Sequence, residues 1–472
     1  MCFLARIVLE AQTPLQIGSG KDNVKTDATI NRDVNGLPFI PATTILGLIR
    51  HAIGEETAKR FMGWQDKKEG SMGSSLAVTE AKIVGKGGIV VDGLWNPSDI
   101  DNDEYLANFR QMPIRQHVRI NHRGVTENGG KFDEEIIPQG VRFCFEMELR
   151  SNKDGQKDFQ NLLNTIADET FRIGGGSRSG FGKISVVKEK YFYKELDFSK
   201  ADDLQEYIDK STSLEKPWSG YKSAELGIHT HSDAIRYELS LHPMDFILFS
   251  AGLGNEHTDM AVIKEPMVEW TDDTPRWIDD EKTLVVPASS VKGAISHRTA
   301  FYYNKKTGVW ADEKITKDAN IETRKEEAKT YTGKNNKAVN ALFGSEGEKS
   351  DNKTINKRRG HVLFSDMIRE KKSAAPKVIN HVKIDRITGG AIDGALFDEE
   401  PLYAKNETIT LNLFLIKDDE IDENITSAFE DALRDICHGT LALGGGVNRG
   451  NGCFRGTLKK NGEDITEKQN EQ

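Results

Sequence analysis

The feature that most constrains this 472-residue chain is an internal duplication. Ile17-Gly-Ser-Gly20, Thr26-Asp27 and Pro38 to Gly47 reappear, in the same order, as Ala251-Gly-Leu-Gly254, Thr258-Asp259 and Val285 to Gly293. His117-Val-Arg-Ile, Arg123 and Phe132-Asp-Glu-Glu135 are mirrored by His381-Val-Lys-Ile, Arg386 and Phe397-Asp-Glu-Glu400. Gly174-Gly-Gly176, Gly180 and Gly182 recur at a constant offset as Gly444-Gly-Gly446, Gly450 and Gly452. A period of roughly 230–270 residues is far beyond solenoid repeats, so each copy should be a domain with its own core. The expected division is a first domain over 1–211, a linker over 212–233 rich in Ser, Lys, Gly, Pro and His, and a second domain over 234–460. The second copy carries a charged insertion at about 303–360, read as solvated helix and loop. Residues 461–472 read as a frayed tail.

Each copy repeats the same elements. Val141, Phe143, Phe145, Met147 and Leu149 alternate, as do Ile409, Leu411, Leu413 and Leu415, which predicts half-buried strands. Helical spacing follows each: Phe159, Leu162, Leu163 and Ile166 in one copy, and Ile425, Phe429, Leu433 and Ile436 in the other, with Asn424 placed to cap. A glycine-rich loop and a last strand close each copy. With an opening strand and a helix started by Thr43-Thr44 or Ser289-Ser290, the pattern is β-α-β used twice per copy. It predicts an α+β class of two tandem ferredoxin-like, RNA-recognition-motif-like domains.

Composition narrows the function. Lys and Arg number 64 against 74 Asp and Glu, a formal charge of −10, which excludes indiscriminate DNA coating and confines any nucleic-acid site to a local patch. Cys2, Cys144, Cys437 and Cys453 lie in no CxxC or zinc spacing, so neither disulfides nor structural zinc is expected. No apolar run approaches the ~18–20 residues of a membrane span. A cytoplasmic protein is the expectation.

The loop Ile173-Gly-Gly-Gly-Ser-Arg-Ser-Gly-Phe-Gly-Lys183 invites a phosphate reading, since glycines let amides converge on an anion while Arg178 and Lys183 add charge. A Walker loop would need glycine at Ser177 and Ser or Thr at Ile184, and a dinucleotide fingerprint should follow a strand, whereas this loop follows a helix. A tight helix-to-strand turn is the alternative. An arginine inside both loops, Arg178 and Arg449, favours a polyanion contact. Asp27 and Asp259 sit in loops after the first strand, each followed six residues later by an acid, Asp33 or Glu265. An aspartate's ordinary pKa of ~3.9 makes it a poor general base at neutral pH, so its catalytic uses are metal binding or orienting a ribose hydroxyl; a plain turn former is the alternative. His117, His122 and His381 flank basic residues without ligand spacing.

Together, the Gly-x-Gly loop, the Pro-x-[Thr/Ser]-[Thr/Ser]-x-x-Gly helix start, Phe61-Met-Gly63 and Leu342-Phe-Gly344, the His-Val-[Arg/Lys]-Ile to Phe-Asp-Glu-Glu stretch and the terminal glycine loop resemble the repeat-associated mysterious protein (RAMP) superfamily. More narrowly, they resemble backbone subunits of type III CRISPR effectors, and two fused copies resemble the tandem subunit of the type III-D branch. The resemblance implies RAMP domains with thumb-like hairpin insertions, at His117–Gly140 and His381–Lys405, lying along a guide CRISPR RNA. It places Gly18, Gly20, Thr43, Thr44 and Arg50 of copy one, and Ser289, Ser290 and Lys292 of copy two, against RNA. From the hairpins it adds His117, Arg119, Arg123, His381, Lys383 and Arg386. From the glycine loops it adds Gly174, Gly175, Gly176, Arg178, Lys183, Gly444, Gly445, Gly446, Asn448 and Arg449. It implies that Asp27 and Asp259 cut the target RNA with Mg²⁺ or another divalent cation, not tightly held. Target RNA, other RAMP proteins and the large polymerase-like subunit would be partners. Two alternatives stand beside it: a non-catalytic backbone subunit, and a CRISPR RNA maturation endonuclease using His51 or His117 as general base.

Overall fold

The computed structural model describes residues 1–21, 26–66, 70–120, 126–152, 155–215, 222–223, 233–252, 254–310, 313, 315–345, 349–350, 353–354 and 358–467. His122, Arg123 and most of the 212–233 linker lie outside them.

Copy one runs β1 (Cys2–Ala11), α1 (Ala42–Ile53), a hairpin of β2 (Ile114–Ile120) and β3 (Thr126–Glu135), β4 (Arg142–Arg150), α2 (Gly155–Ile166), β5 (Ile184–Leu196) and α3 (Ala201–Asp209). β1 pairs antiparallel with β4 on one side and β5 on the other, and short pieces at Leu76–Val78 and Lys82–Ile83 extend the sheet beyond β4. Phe3, Ala5, Ile7 and Leu9 point into a core shared with Ile45, Ile49, Phe159 and Leu163 of the two helices. The other face of β1 is covered as well. Val8 and Cys144 pack with Leu214, Leu4 packs with Leu196, and Arg6 is buried against Glu146. That double burial is why the opening strand is apolar at nearly every position instead of alternating.

Copy two runs β6 (Ala234–Pro243), β7 (Met260–Ala261), a hairpin of β8 (Met267–Thr271) and β9 (Thr274–Ile278), α4 (Ala288–Lys306), a hairpin of β10 (Ile379–Ile384) and β11 (Ala391–Glu400), β12 (Ile409–Ile416), α5 (Glu423–Cys437), β13 (Phe454–Lys460) and β14 (Glu463–Asp464). β6 lies between β12 and β13, with Val362–Leu363 outside β12. Strand order and helix placement match copy one, and both are the ferredoxin-like arrangement with a hairpin inserted before the third sheet strand.

Three expectations need correction. The α5 cap is Asp422, whose carboxylate accepts the Ile425 N–H at 2.9 Å; Asn424 lies inside the helix. The residues after Lys460 begin as structure, because β14 pairs with β13 and Ile465 packs on the second core. The 303–360 insertion is not solvated throughout: Ala338, Val339, Ala341 and Leu342 are core residues of copy two. Leu342-Phe-Gly344 ends a helix as Phe61-Met-Gly63 does. Gly63 and Gly344 both have φ above +70°, and a Cβ there would stand 2.4 Å from Met72 O or 2.5 Å from Arg358 O. Only glycine fits either step.

One element of copy two belongs to the packing of copy one. The β8–β9 hairpin places Trp277 against Tyr105 and Phe109, with ring centroids 5.9 and 5.3 Å apart, and Trp277 Nε1 donates to Tyr105 O. Trp270 Nε1 donates to Gly140 O at 2.7 Å, and Arg142 lies 4.3 Å over its ring. Trp277→Ala should lower unfolding stability by about 2–4 kcal/mol, as large-to-small changes at packed aromatic sites do. Urea unfolding followed by circular dichroism checks this, and an unchanged midpoint would show that the hairpin contributes nothing to the first domain.

Candidate nucleic-acid interface

The two glycine loops have the same backbone. Gly174, Gly176, Gly180 and Gly182 all have positive φ, as do Gly444, Gly446, Gly450 and Gly452. Gly175 N–H donates to Gln16 O and Gly445 N–H to Leu248 O, while Gly182 and Gly452 donate to Pro14 O and Phe246 O. A Cβ on Gly174 would come within 2.3 Å of Gln16 O. These amides are therefore committed to the protein, and the expected amide cradle for an anion is not formed by Gly175 or Gly445. The glycines let each loop lie flat on the segment after the domain's first strand.

That segment is held from its other side by the inserted hairpin. Asp27 N–H donates to Asp133 Oδ1 at 2.9 Å, and Asp133 N–H donates to Asp27 Oδ2 at 3.0 Å. Copy two repeats the bracket: Asp259 N–H to Asp398 Oδ1 at 2.9 Å, and Asp398 N–H to Asp259 Oδ2 at 3.1 Å. The backbone joins in parallel in both copies, at the Ala28–Glu134 bridge and along β7 with Glu399–Glu400. Asp27 and Asp259 are exposed. Their other carboxylate oxygens accept no hydrogen bond from a described residue.

Behind each bracket a histidine stacks on the hairpin. His117 lies 4.7 Å from Phe132 and His381 lies 4.8 Å from Phe397. His117 Nε2 is 2.9 Å from a Glu134 carboxylate oxygen and His381 Nε2 is 3.1 Å from one of Glu399, without the alignment of a hydrogen bond. Further out, Arg119, Lys383 and Arg386 are exposed, and so are Ile120, Phe132, Val382, Ile384, Ile387 and Leu396. Apolar side chains left in solvent along a hairpin of each domain are uncommon and mark a contact surface.

Other sequence candidates divide. Arg449 pairs with Glu399 and lies over Phe397, and Arg50 pairs with Glu55, so both are neutralised within the protein. Thr43, Thr44, Ser289 and Ser290 begin α1 and α4 behind Pro41 and Pro287, with no side-chain cap. Gly18 pairs with Ile30, and Gly20 and Asn448 are exposed at loop tips.

Arg178 does something the repeat could not reveal. Its Nε donates to Gly360 O of copy two at 2.7 Å, where Gly180 also bridges Ser365 and accepts the Asp366 N–H. Asp366 in turn accepts the Ala288 N–H at the start of α4. The first glycine loop thus abuts the second helix start. Arg178, Lys292 and Arg359 gather at this seam. Burial first, then Arg359 and Arg172, pulls the Arg178 guanidinium down to about 9. Burial and Arg178 lower Lys292, and burial lowers Arg359, whose Nη1 stands 2.9 Å from His51 Nε2. Lys183 is lowered by burial and Arg172. Among the described residues, none of Arg178, Lys292 and Arg359 forms an ion pair with a carboxylate. Cations crowded without acids make a local anion site on an acidic chain.

Beneath the seam lies an ionic lock that sequence reasoning missed. Arg115, on β2, is 1% exposed and pairs with both Glu265 and Asp366 of copy two, while lying 4.8 Å over the Phe181 ring. Burial opposes its charge, but Asp366 and Glu265 outweigh that and hold its pKa above the usual arginine value. Arg115→Leu would strand two buried carboxylates, at a cost of about 3–5 kcal/mol. Urea unfolding should show that loss, and a variant as stable as the parent would contradict the lock.

The family model described as the RAMP superfamily matches residues 8–185 and 253–455. No curated protein matches the chain. Among solved structures, a chain of the type III-B Cmr-beta cryo-EM structure in its apo state is 14% identical, covering 39% of this chain and 96% of its own, with a TM-score of 0.29. A chain of Cmr-beta bound to cognate target RNA gives 14%, 40%, 96% and 0.29. Those scores are too low to argue from. The family match spans both copies, the glycine loops and both aspartate loops included, and the chain belongs to the RAMP superfamily.

Proposed function

We propose that this protein is a backbone subunit of a type III CRISPR ribonucleoprotein, with two fused RAMP domains as in the type III-D branch, that binds guide CRISPR RNA and cuts complementary target RNA at Asp27 and Asp259. The observation that carries the binding half is the seam. Arg178, Lys292 and Arg359 are crowded together without a carboxylate partner among the described residues, where the glycine loop of one copy meets the helix start of the next. A phosphate backbone running from one domain to the other would relieve that repulsion, so phosphate contacts position the RNA. The net charge of −10 is compatible, because the basic groups line one seam while acids occupy other faces. Other RAMP subunits and the large polymerase-like subunit are the partners this reading brings.

The cutting half rests on the bracketed aspartates. Exposed Ile120 and Phe132 in copy one, and Ile384 and Leu396 in copy two, would separate neighbouring bases of the duplex and kink the target strand beside each aspartate. A kinked ribose can bring its own 2′-hydroxyl in line with the adjacent phosphorus. The 2′-hydroxyl gives its proton to water as its oxygen bonds to phosphorus, and the bond to the 5′-oxygen breaks with that oxygen taking a proton from water, leaving a cyclic phosphate and a 5′-hydroxyl. The outward oxygens of Asp27 and Asp259 are hard carboxylate donors, the kind that a largely hydrated divalent cation takes. When bound, such a cation would neutralise charge developing on the phosphoryl oxygens. The chain's own task is to fix the carboxylate beside the kink.

Asp27→Ala and Asp259→Ala in the assembled complex should each remove one cut, and the double variant should remove both with guide RNA retained. Unchanged cutting would make the subunit purely structural, and cutting that survives chelator would favour a histidine-driven enzyme. His51 is poorly placed for that role because its Nε2 faces Arg359. At the seam, Lys292→Met should stabilise the RNA-free protein, because it removes a charge that folding disfavours, while lowering the salt slope of RNA affinity by about 1. An unchanged salt slope would remove the seam from the RNA path.

A further inference from the structure

Resting on that reading, we propose that Asp133 and Asp398 are positioning residues that hold Asp27 and Asp259 to the thumb hairpins, one for each cut. Each hairpin aspartate offers its carboxylate to the backbone N–H of the loop aspartate and receives the reciprocal bond through its own N–H. The four distances span only 2.9 to 3.1 Å across two domains whose surrounding side chains differ. Glu135 strengthens the arrangement in copy one by accepting the Ile30 N–H and pairing with Arg32. In copy two, Lys264 turns instead to Glu281, and Glu265 to Arg115, so the aspartate bracket is the part both copies keep.

The bracket has a mechanical consequence. A hairpin that enters a guide–target duplex carries with it the loop whose carboxylate must meet the kinked ribose. Loop and wedge then move as one, and the cut falls at a fixed place relative to the displaced base. What the bracket requires of Asp133 and Asp398 is a side-chain oxygen that accepts a hydrogen bond, not a negative charge, since the group it holds is an amide. An asparagine can serve in that role and an alanine cannot.

The test uses the guide-bound complex and a complementary target, with products resolved by length. Asp133→Ala should lower the cut assigned to Asp27 by about 10–100-fold, the scale of a misplaced catalytic group, and leave the Asp259 cut unchanged. Asp398→Ala should do the reverse. Asp133→Asn and Asp398→Asn should keep both cuts and the slow amide exchange of residues 27 and 259, which the alanine variants should lose. Should an alanine variant fail to assemble, Asp133→Glu and Asp398→Glu, which carry the acceptor a methylene further out, should show the same one-sided loss. The inference is overturned if the displaced-acceptor variants cut normally, if both cuts fall together, or if asparagine is as damaging as alanine. If Asp27→Ala and Asp259→Ala are themselves silent, the functional reading falls and this inference with it. If they abolish cutting and only the hairpin variants are silent, this inference falls alone.

Discussion

Arg115 ties the molecule together. It leaves a hairpin of the first domain and ends between Glu265 and Asp366 of the second, and Asp366 also accepts the amide that opens α4. A guanidinium at 1% exposure is tolerable only because two carboxylates share its charge. With the lock in place, Gly180 and Arg178 are pressed onto residues 360–366, and the glycine loop of one copy faces the helix start of the next. It acts together with Trp270 and Trp277 of the β8–β9 hairpin, which also pack on the first domain, in holding the two domains in one orientation.

The two copies have kept some devices and lost others. The flat glycine loop, the stacked histidine and the aspartate bracket are the same in both, down to which amide meets which oxygen. The differences fall where the domains meet. Arg178 corresponds to Asn448, and Phe181, which supports Arg115, corresponds to Asn451, which turns to Glu399 instead. Among the described residues the β8–β9 hairpin occurs in copy two alone, where it packs on the first domain's core. Duplication thus accounts for the repeated loops, histidines and brackets, and later divergence for the parts that join the two domains.

Much of this was legible in the sequence because the repeat supplied an internal comparison. Strands around Phe143 and Leu411, helices around Leu162 and Phe429, and the loops carrying Asp27 and Asp259 all fall where periodicity and shared landmarks put them. What escaped is long-range pairing. Glu265 reads as one more loop acid until Arg115, 150 positions away, is found beside it. Trp270 and Trp277 show no pattern because they pack on the other domain. The Phe-Asp-Glu-Glu runs look like solvated acids; their second residue follows each Thr-Asp in the same order but at unequal separations, 106 positions in one copy and 139 in the other, so spacing alone does not name Asp133 and Asp398. The glycine loops misled because a glycine needed for close packing and one needed to admit an anion look alike in sequence.

In the proposed complex a single RNA passes along the seam between the two domains. Ultraviolet crosslinking of the guide-bound protein, with adducts mapped by mass spectrometry, tests it most directly. The expected adducts are short RNAs of uniform length carrying a repeat-derived end, joined to peptides that contain Arg178, Lys292 and Arg359 as well as to both hairpins. Adducts confined to one domain, or a protein that retains no RNA at all, would contradict it.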